Sequence, residues 1–265
     1  MGVGEVDRMR HDSSGSLAGW ENIECDVDSS SSRAVTALDQ ILKRTLDIVV
    51  AAALLFVLAP VILIVALAIR LESAGPVFYR CRRIGRGGRE FDMIKFRKMH
   101  DGAQGPALAS WEDDRFTKLG PFLARTKLDE LPQLWNVLKG QMSLVGPRPE
   151  DAGFVNLHPA EFSVIHGVKP GITGLCQLAF ARESNVLDPE DRLGHYVNEI
   201  LPQKVRLDQL YASDRSIGMD LRILGWTALA VLFGREVAVH RQTGSLSPRL
   251  PRGEAQQVAI GRIEA

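Results

Sequence analysis

The sequence predicts an α/β chain that is mainly helical, with a small β-hairpin or sheet, built on an N-terminal membrane-inserted helix. Three observations carry that expectation. Twenty-two consecutive residues, Ile48 to Ile69, have no charged or polar side chain. Apolar residues flank a glycine-rich turn between Val77 and Phe96, and apolar residues at helical spacing, punctuated by proline and glycine, follow from Leu131. The composition suits a folded body: 45% of the 265 residues are hydrophobic and 24% are charged, enough to bury a core. Lys and Arg total 32 and Asp and Glu total 32, which excludes nucleic-acid binding by bulk basicity and an acidic disordered chain. No nucleic-acid partner is expected.

Residues 1–36 hold seven acids, three arginines and the run Ser29 to Ser32, too little apolar surface to offset ordering, so a disordered leader is predicted. That polar start is not a secretory signal. Residues 37–71 form the membrane-inserted segment and residues 72–245 a cytosolic domain. Residues 246–265, with Pro248, Pro251 and Gly253, are expected to be a disordered tail. Cys25, Cys81 and Cys176 lie far apart, and the six histidines are scattered, so neither a disulfide framework nor a zinc site is expected.

The apolar segment would reach about 33 Å as one straight helix, enough to cross a hydrocarbon core. Pro60 lies near its middle. A proline there deletes one helical hydrogen bond and pushes the residue before it out of helical geometry, so a break is expected at Ala59-Pro60. Arg33, Lys43 and Arg44 precede the segment, and Arg70, Arg80, Arg82 and Arg83 follow it. Both ends thus resemble cytoplasmic flanks. A re-entrant helical hairpin over residues 37–71 fits this pattern better than a kinked transmembrane helix, and in either case the body faces the cytosol.

Between Arg80 and Lys98 stand eight bases against Glu90 and Asp92. A strand pair around the Gly85 to Gly88 turn would aim alternate bases at one face, toward lipid headgroups or ligand phosphates. Further on, Leu131, Leu134, Trp135 and Leu138 fall on one face of a short helix that Gly140 closes. Pro132 belongs in its first turn, which puts Asp129 and Glu130 at the helix N-terminus. Exposed N–H groups and the helix dipole there would keep both carboxylates ionised and attract a phosphate or a metal-bound phosphate. Plain N-capping is the competing explanation. Arg148 lies between two prolines that stiffen the arm Gly146 to Pro149.

These blocks, in this order, resemble the bacterial sugar transferases, the monotopic phosphoglycosyl transferases. The matching residues are Lys43-Arg44 before the proline-broken segment, Pro76 to Phe78, Lys95 to Met99, Asp114 to Thr117, Leu128 to Gly140, Met142 to Pro149, Pro170 to Gly174, and Asp220-Leu221. The resemblance implies an enzyme that moves a sugar 1-phosphate from a UDP-sugar to polyprenyl phosphate, releases UMP and initiates exopolysaccharide or glycoconjugate synthesis. It makes Asp129 the nucleophile, with Glu130 beside it as catalytic partner, and both ligands of Mg²⁺. Lys95, Arg97, Arg125, Arg148 and Arg182 become phosphate or UDP contacts. It implies a compact cytosolic catalytic domain with interfacial amphipathic helices at the bacterial inner membrane, lipid as a partner, and room for a homodimer. The chain departs from the family at Ala59 where serine is frequent, at Ala124 beside Arg125 where arginine is common, and at Gln141 where aspartate is usual. A non-catalytic membrane adaptor built on the hairpin and basic flank is the competing expectation. The sugar itself is not encoded in any motif read here.

Overall fold

The structure, a computed structural model, describes residues 37–105, 113–181 and 191–249. Helix α1 (Ala37–Glu72) is followed by strands β1 (Phe78–Ile84) and β2 (Glu90–Phe96). Then come α2 (Gly120–Thr126), a 3₁₀ turn at Leu128–Glu130, α3 (Gln133–Leu138) and β3 (Ser143–Val145). Short helices α4 (Ala152–Val155) and α5 (Pro159–Ile165) lead to β4 (Gly171–Thr173) and α6 (Leu175–Ala179). Helix α7 (Arg192–His195) runs through a π turn at Tyr196–Ile200 into α8 (Leu201–Asp214). Helix α9 (Ile217–Phe233) and strands β5 (Val237–Val239) and β6 (Leu246–Pro248) complete the body. The mainly helical expectation holds, with the β structure confined to three two-stranded pairs among the described residues.

Helix α1 is long and apolar enough to cross a membrane. It is also unbroken: residues on both sides of Pro60 are helical, so the proline does not divide the segment into two helices as the sequence predicted. The proline removes a single hydrogen bond, and the turns on either side keep theirs, which lets a long helix absorb it locally. One stripe of α1 faces the body, through Asp47, Ala51, Leu55, Leu58, Ile62, Val65 and Ile69, three or four residues apart. The other side is apolar and open, with Phe56 84% and Leu71 78% exposed.

Strands β1 and β2 form an antiparallel hairpin that pairs Phe78 with Phe96 and Ile84 with Glu90. Its turn needs Gly87 and Gly88 at φ near +70°. Phe91 and Met93 point into the main core with Leu134, Val137, Met142 and Leu175. Phe96 packs with Val65, Ile69 and Leu123 in a second cluster beneath the far end of α1. The basic strip is therefore divided rather than turned to one face. Arg82 is exposed and Arg83 pairs with Asp151, while the bases at the Phe96 end point elsewhere.

Strands β3 and β4 pair in parallel at the centre of the body. Gly146 is obligatory at their exit, because a Cβ there would collide with the Lys169 carbonyl and the Gly171 nitrogen. The body also extends past residue 245. Leu246–Pro248, assigned by the sequence to the tail, pairs with β5, since Val237 and Leu246 cover the core edge beside Leu175 and Leu210. Helix α9 starts at Ser216, whose hydroxyl accepts from the Met219 N–H at 3.2 Å, and stops at Gly234 with φ +63°. Asp220 and Ile223 are buried on its inner side, whereas Leu221, Val231, Leu232 and Phe233 are exposed.

Candidate active site

Asp129 and Glu130 sit in the 3₁₀ turn before α3, and Pro132 stands at the N-cap, one position earlier than predicted. Their charges are met by lysines. The Lys98 ammonium donates to Asp129 Oδ2 at 2.9 Å and the Lys95 ammonium to Glu130 Oε1 at 3.0 Å. The predicted role of the helix N-terminus is thereby taken over by side chains, because the Leu134 and Trp135 N–H groups at the start of α3 already donate to the Leu131 and Pro132 carbonyls. The Asp129 side chain is 2% exposed and Lys98 lies over it at 30%. Burial alone would raise the Glu130 pKa, but Lys95, Arg148 and Lys127 outweigh it and hold the carboxyl at about 2.

The fold brings Lys95 and Arg148 to the pair and leaves Arg97 out of it. Arg97 is buried, and its guanidinium donates to the Ser73 and Ala74 carbonyls at 2.9 and 2.8 Å. It fastens the end of β2 to the chain leaving α1. Strand alternation would have put Lys95 and Arg97 on one face, but β2 ends at Phe96 and the alternation ends with it. Lys98, one residue further, reaches Asp129 instead. Arg125 is exposed in the last turn of α2, four residues before Asp129. Arg182 lies outside the described residues.

Lys127 was passed over as a site residue and occupies the left-handed region at φ +60°, the only non-glycine to do so among the described residues. That conformation costs roughly 1–2 kcal/mol. It places the last residue of one helical turn and the first of the next so that Asp129 faces inward. Asn136 was also passed over. Its side chain is fully buried, accepts from the Ile94 N–H at 3.0 Å and donates to the Asp92 carbonyl at 2.7 Å, locking α3 onto β2. Its amide also donates to Gln141 Oε1 at 2.9 Å, which gives the unusual glutamine a structural use. An amide between Trp135 and Val137, in the middle of a helix whose other interior residues are apolar, was the available signal. Trp135, predicted to be core, is 50% exposed, and Lys139 lies over its ring.

Arg148 is held from below. Its backbone N–H donates to Asp208 Oδ2 at 3.2 Å, and its Nε is 3.9 Å from Glu150 Oε1. Glu150 is buried with Lys204, and Tyr196 donates to it at 3.3 Å. Burial opposes the Glu150 charge, yet Lys204, Arg148 and Arg83 depress its pKa below the usual range. Burial pushes the Asp208 carboxyl well up. Around Asp129 and Glu130 the cations Lys95, Lys98, Lys127 and Arg148 outnumber the carboxylates four to two. Such a site is complementary to a dianionic diphosphate.

Comparison with known proteins places the chain in a family. The bacterial sugar transferase family matches residues 38–234, which include the whole site. The chain belongs to the bacterial sugar transferase family. A UDP-glucose:undecaprenyl-phosphate glucose-1-phosphate transferase of Caulobacter vibrioides is 40% identical over 195 residues, covering 72% of this chain and 69% of that protein. An undecaprenyl-phosphate glucose phosphotransferase of Komagataeibacter xylinus is 38% identical over 77% of this chain, which spans only 38% of that relative. A UDP-N-acetylgalactosamine-undecaprenyl-phosphate N-acetylgalactosaminephosphotransferase of Aeromonas hydrophila is 34% identical over 73% of this chain and 44% of its own length. The family match and the one long apolar helix together make this sugar transferase a membrane-associated protein.

Proposed function

We propose that this sugar transferase moves a sugar 1-phosphate from a UDP-sugar to undecaprenyl phosphate at the bacterial inner membrane. The observation that carries the proposal is the buried Asp129 with Lys98 at 2.9 Å, set beside Glu130 in a cation-rich site inside the family match. A carboxylate oxygen of Asp129 attacks the β-phosphorus of the donor, and the bond to the α-phosphate oxygen breaks to release UMP. The phospho-sugar then rests on Asp129. An oxygen of undecaprenyl phosphate attacks the same phosphorus, which frees Asp129 and gives undecaprenyl diphosphate sugar. Both transfers mainly require in-line positioning and neutralised charge. Lys98 supplies part of this by exchanging its bond to Asp129 for one to a phosphate oxygen. Lys95 keeps Glu130 ionised, and Arg148 and Lys127 complete the cationic wall.

Asp129 and Glu130 each commit one oxygen to a lysine and retain the other. Two carboxylates of this kind suit Mg²⁺, which takes few protein ligands and fills its shell with water and substrate phosphate. Asp129 and Glu130 would hold it, and the ion would neutralise charge on the diphosphate.

The two flanks of the apolar segment meet one body, which supports a re-entrant placement in which α1 turns back without losing its helical backbone at Pro60. Lys43 and Arg44 bond to Val145 and to Val137 and Leu138, while Glu72 at the other end accepts from the Leu119 N–H at 2.9 Å. Both flanks thus grip one body, which a helix crossing the bilayer would not allow without burying the body in lipid. The exposed apolar side chains at the end of α9 suit an interfacial position. The body then faces the cytosol. UDP-glucose is the first donor to test, because the Caulobacter and Komagataeibacter relatives are named for glucose.

The test is UMP release by the purified full chain with Mg²⁺, undecaprenyl phosphate and a panel of UDP-sugars. UMP is expected with one donor and none with Asp129→Asn. Silence with every donor, or an active Asp129→Asn, overturns the proposal.

A further inference from the structure

The strand that leads into Arg148 is held by charged residues of the membrane helix. Asp47 lies on the inner stripe of α1 at 3% exposure, and its Oδ1 accepts from Ser143 Oγ and from the Leu144 N–H, both at 3.0 Å. One turn earlier, Lys43 donates to the Val145 carbonyl at 3.2 Å. The Tyr211 hydroxyl of α8 lies 3.1 Å from that same carbonyl, while its single proton goes to Asp220. Asp220 of α9 closes the arrangement, taking Lys43 on Oδ2 and the Tyr211 hydroxyl on Oδ1, both at 2.6 Å. Asp47 and Lys43 of α1 therefore tie all three residues of β3, and Tyr211 and Asp220 from α8 and α9 hold Lys43 in place.

Docking an apolar helix does not need such groups. A buried carboxylate costs several kcal/mol unless it is fully paired, and a leucine at position 47 would dock α1 at no such cost. What the polar ties add is direction, since Asp47 fixes the Leu144 N–H and the Ser143 hydroxyl and Lys43 fixes the Val145 carbonyl. Only Gly146 and Pro147 separate this strand from Arg148. Gly146 N–H donates to the Thr173 carbonyl at 2.9 Å and Gly171 N–H to the Pro147 carbonyl at 2.8 Å, and the Pro147 ring fixes its own φ. A shift of β3 has no slack in which to dissipate before it reaches the guanidinium.

We propose that Asp47, Lys43, Tyr211 and Asp220 are positioning residues for Arg148, so that the helix entering the membrane also sets the reach of the phosphate clamp. This rests on the transfer reading for the role of Arg148, while the mechanical link from α1 to the arm stands on the bonds alone. Enzyme that has lost only these bonds to β3 would keep the other contacts of α1 and hold Arg148 out of register.

The experiment uses the full chain in lipid nanodiscs and follows UMP release. Tyr211→Phe, which removes only the hydroxyl, and Asp47→Ala are each expected to lower kcat about 10- to 100-fold, as misplacement of a clamp does, with donor KM changed far less. In an Arg148→Lys background the same changes should cost under about twofold more, because the group they position is already compromised. Full kcat in Tyr211→Phe, or the same fold loss in both backgrounds, overturns the proposal. If Asp47→Ala fails to fold, Tyr211→Phe alone decides. Amide exchange over residues 143–149 separates the two layers of the argument. Silent wild-type enzyme sinks the transfer reading, whereas unchanged exchange in Tyr211→Phe sinks the positioning role whatever the activity. Faster exchange is the expected result.

Discussion

Lys98 decides the state of Asp129 before any donor arrives. Its ammonium covers a carboxylate that is otherwise shut off from water, so in the proposed transfer Asp129 opens to the donor only when the diphosphate draws the lysine away. Lys98→Met should therefore lower kcat about 10²-fold, the usual loss when one preorganised cationic or hydrogen-bonding group is removed from a transition state. UMP release in steady state measures it. Lys127 makes a different trade. Its left-handed backbone suits glycine, so Lys127→Gly is expected to keep or raise the thermal unfolding midpoint while lowering activity, a stability–function exchange read by calorimetry and the UMP assay. Two of the residues that sequence reasoning missed share one property. Lys98 and Asn136 act through partners distant in the chain, at Asp129 and at Asp92 and Ile94, and no local spacing announces such partners.

At the scale of elements, hydrophobic periodicity and turn chemistry were readable in the sequence, while the ends of elements were not. The β1–β2 hairpin followed from apolar residues on either side of a glycine run. Where β2 stops did not follow, and that single boundary exchanged Lys98 for Arg97 at the site. Arg97→Met should then act on stability: the Ser73 and Ala74 carbonyls lose their donors, and the unfolding midpoint should drop while donor KM stays put. A raised KM at unchanged stability would return Arg97 to the phosphate site. The parallel β3–β4 pair was invisible, because three-residue strands carry too little pattern. Its tightness is testable. Gly146→Ala forces a methyl into the Lys169 carbonyl and the Gly171 nitrogen, and the chain should lose several kcal/mol of stability in denaturant titration.

The whole molecule couples a membrane helix to a charged site, and pH reads that coupling. Glu130 and Glu150 have folded pKa values below their ordinary 4.5, so their ionised forms stabilise the fold. That contribution is complete above about pH 4.5 and is lost as pH falls toward 2. Urea midpoints measured from pH 6 down to pH 3 should show the decline, and Lys95→Met should shrink it, because without the principal base the folded Glu130 pKa rises toward its ordinary value while the onset stays set by the unfolded chain. Topology is a separate matter, decided by labelling a cysteine placed before Lys43. Access from the cytosolic side alone is expected, and access from the opposite side alone excludes the re-entrant reading.

By itself the sequence determined the mainly helical class, the apolar membrane helix, the hairpin and the Asp129-Glu130 pair, because each is a local pattern of hydrophobicity, turn residues or adjacent charges. Only the tertiary structure decided which cations meet which carboxylates, that α1 runs through Pro60 as one helix, and that its two flanks hold opposite sides of the site. The physical reason is range. Periodicity and propensity act over a few residues, whereas Lys43, Asp47 and Glu72 find partners 177, 96 and 47 positions away, at distances along the chain where only packing of the complete body selects the contact.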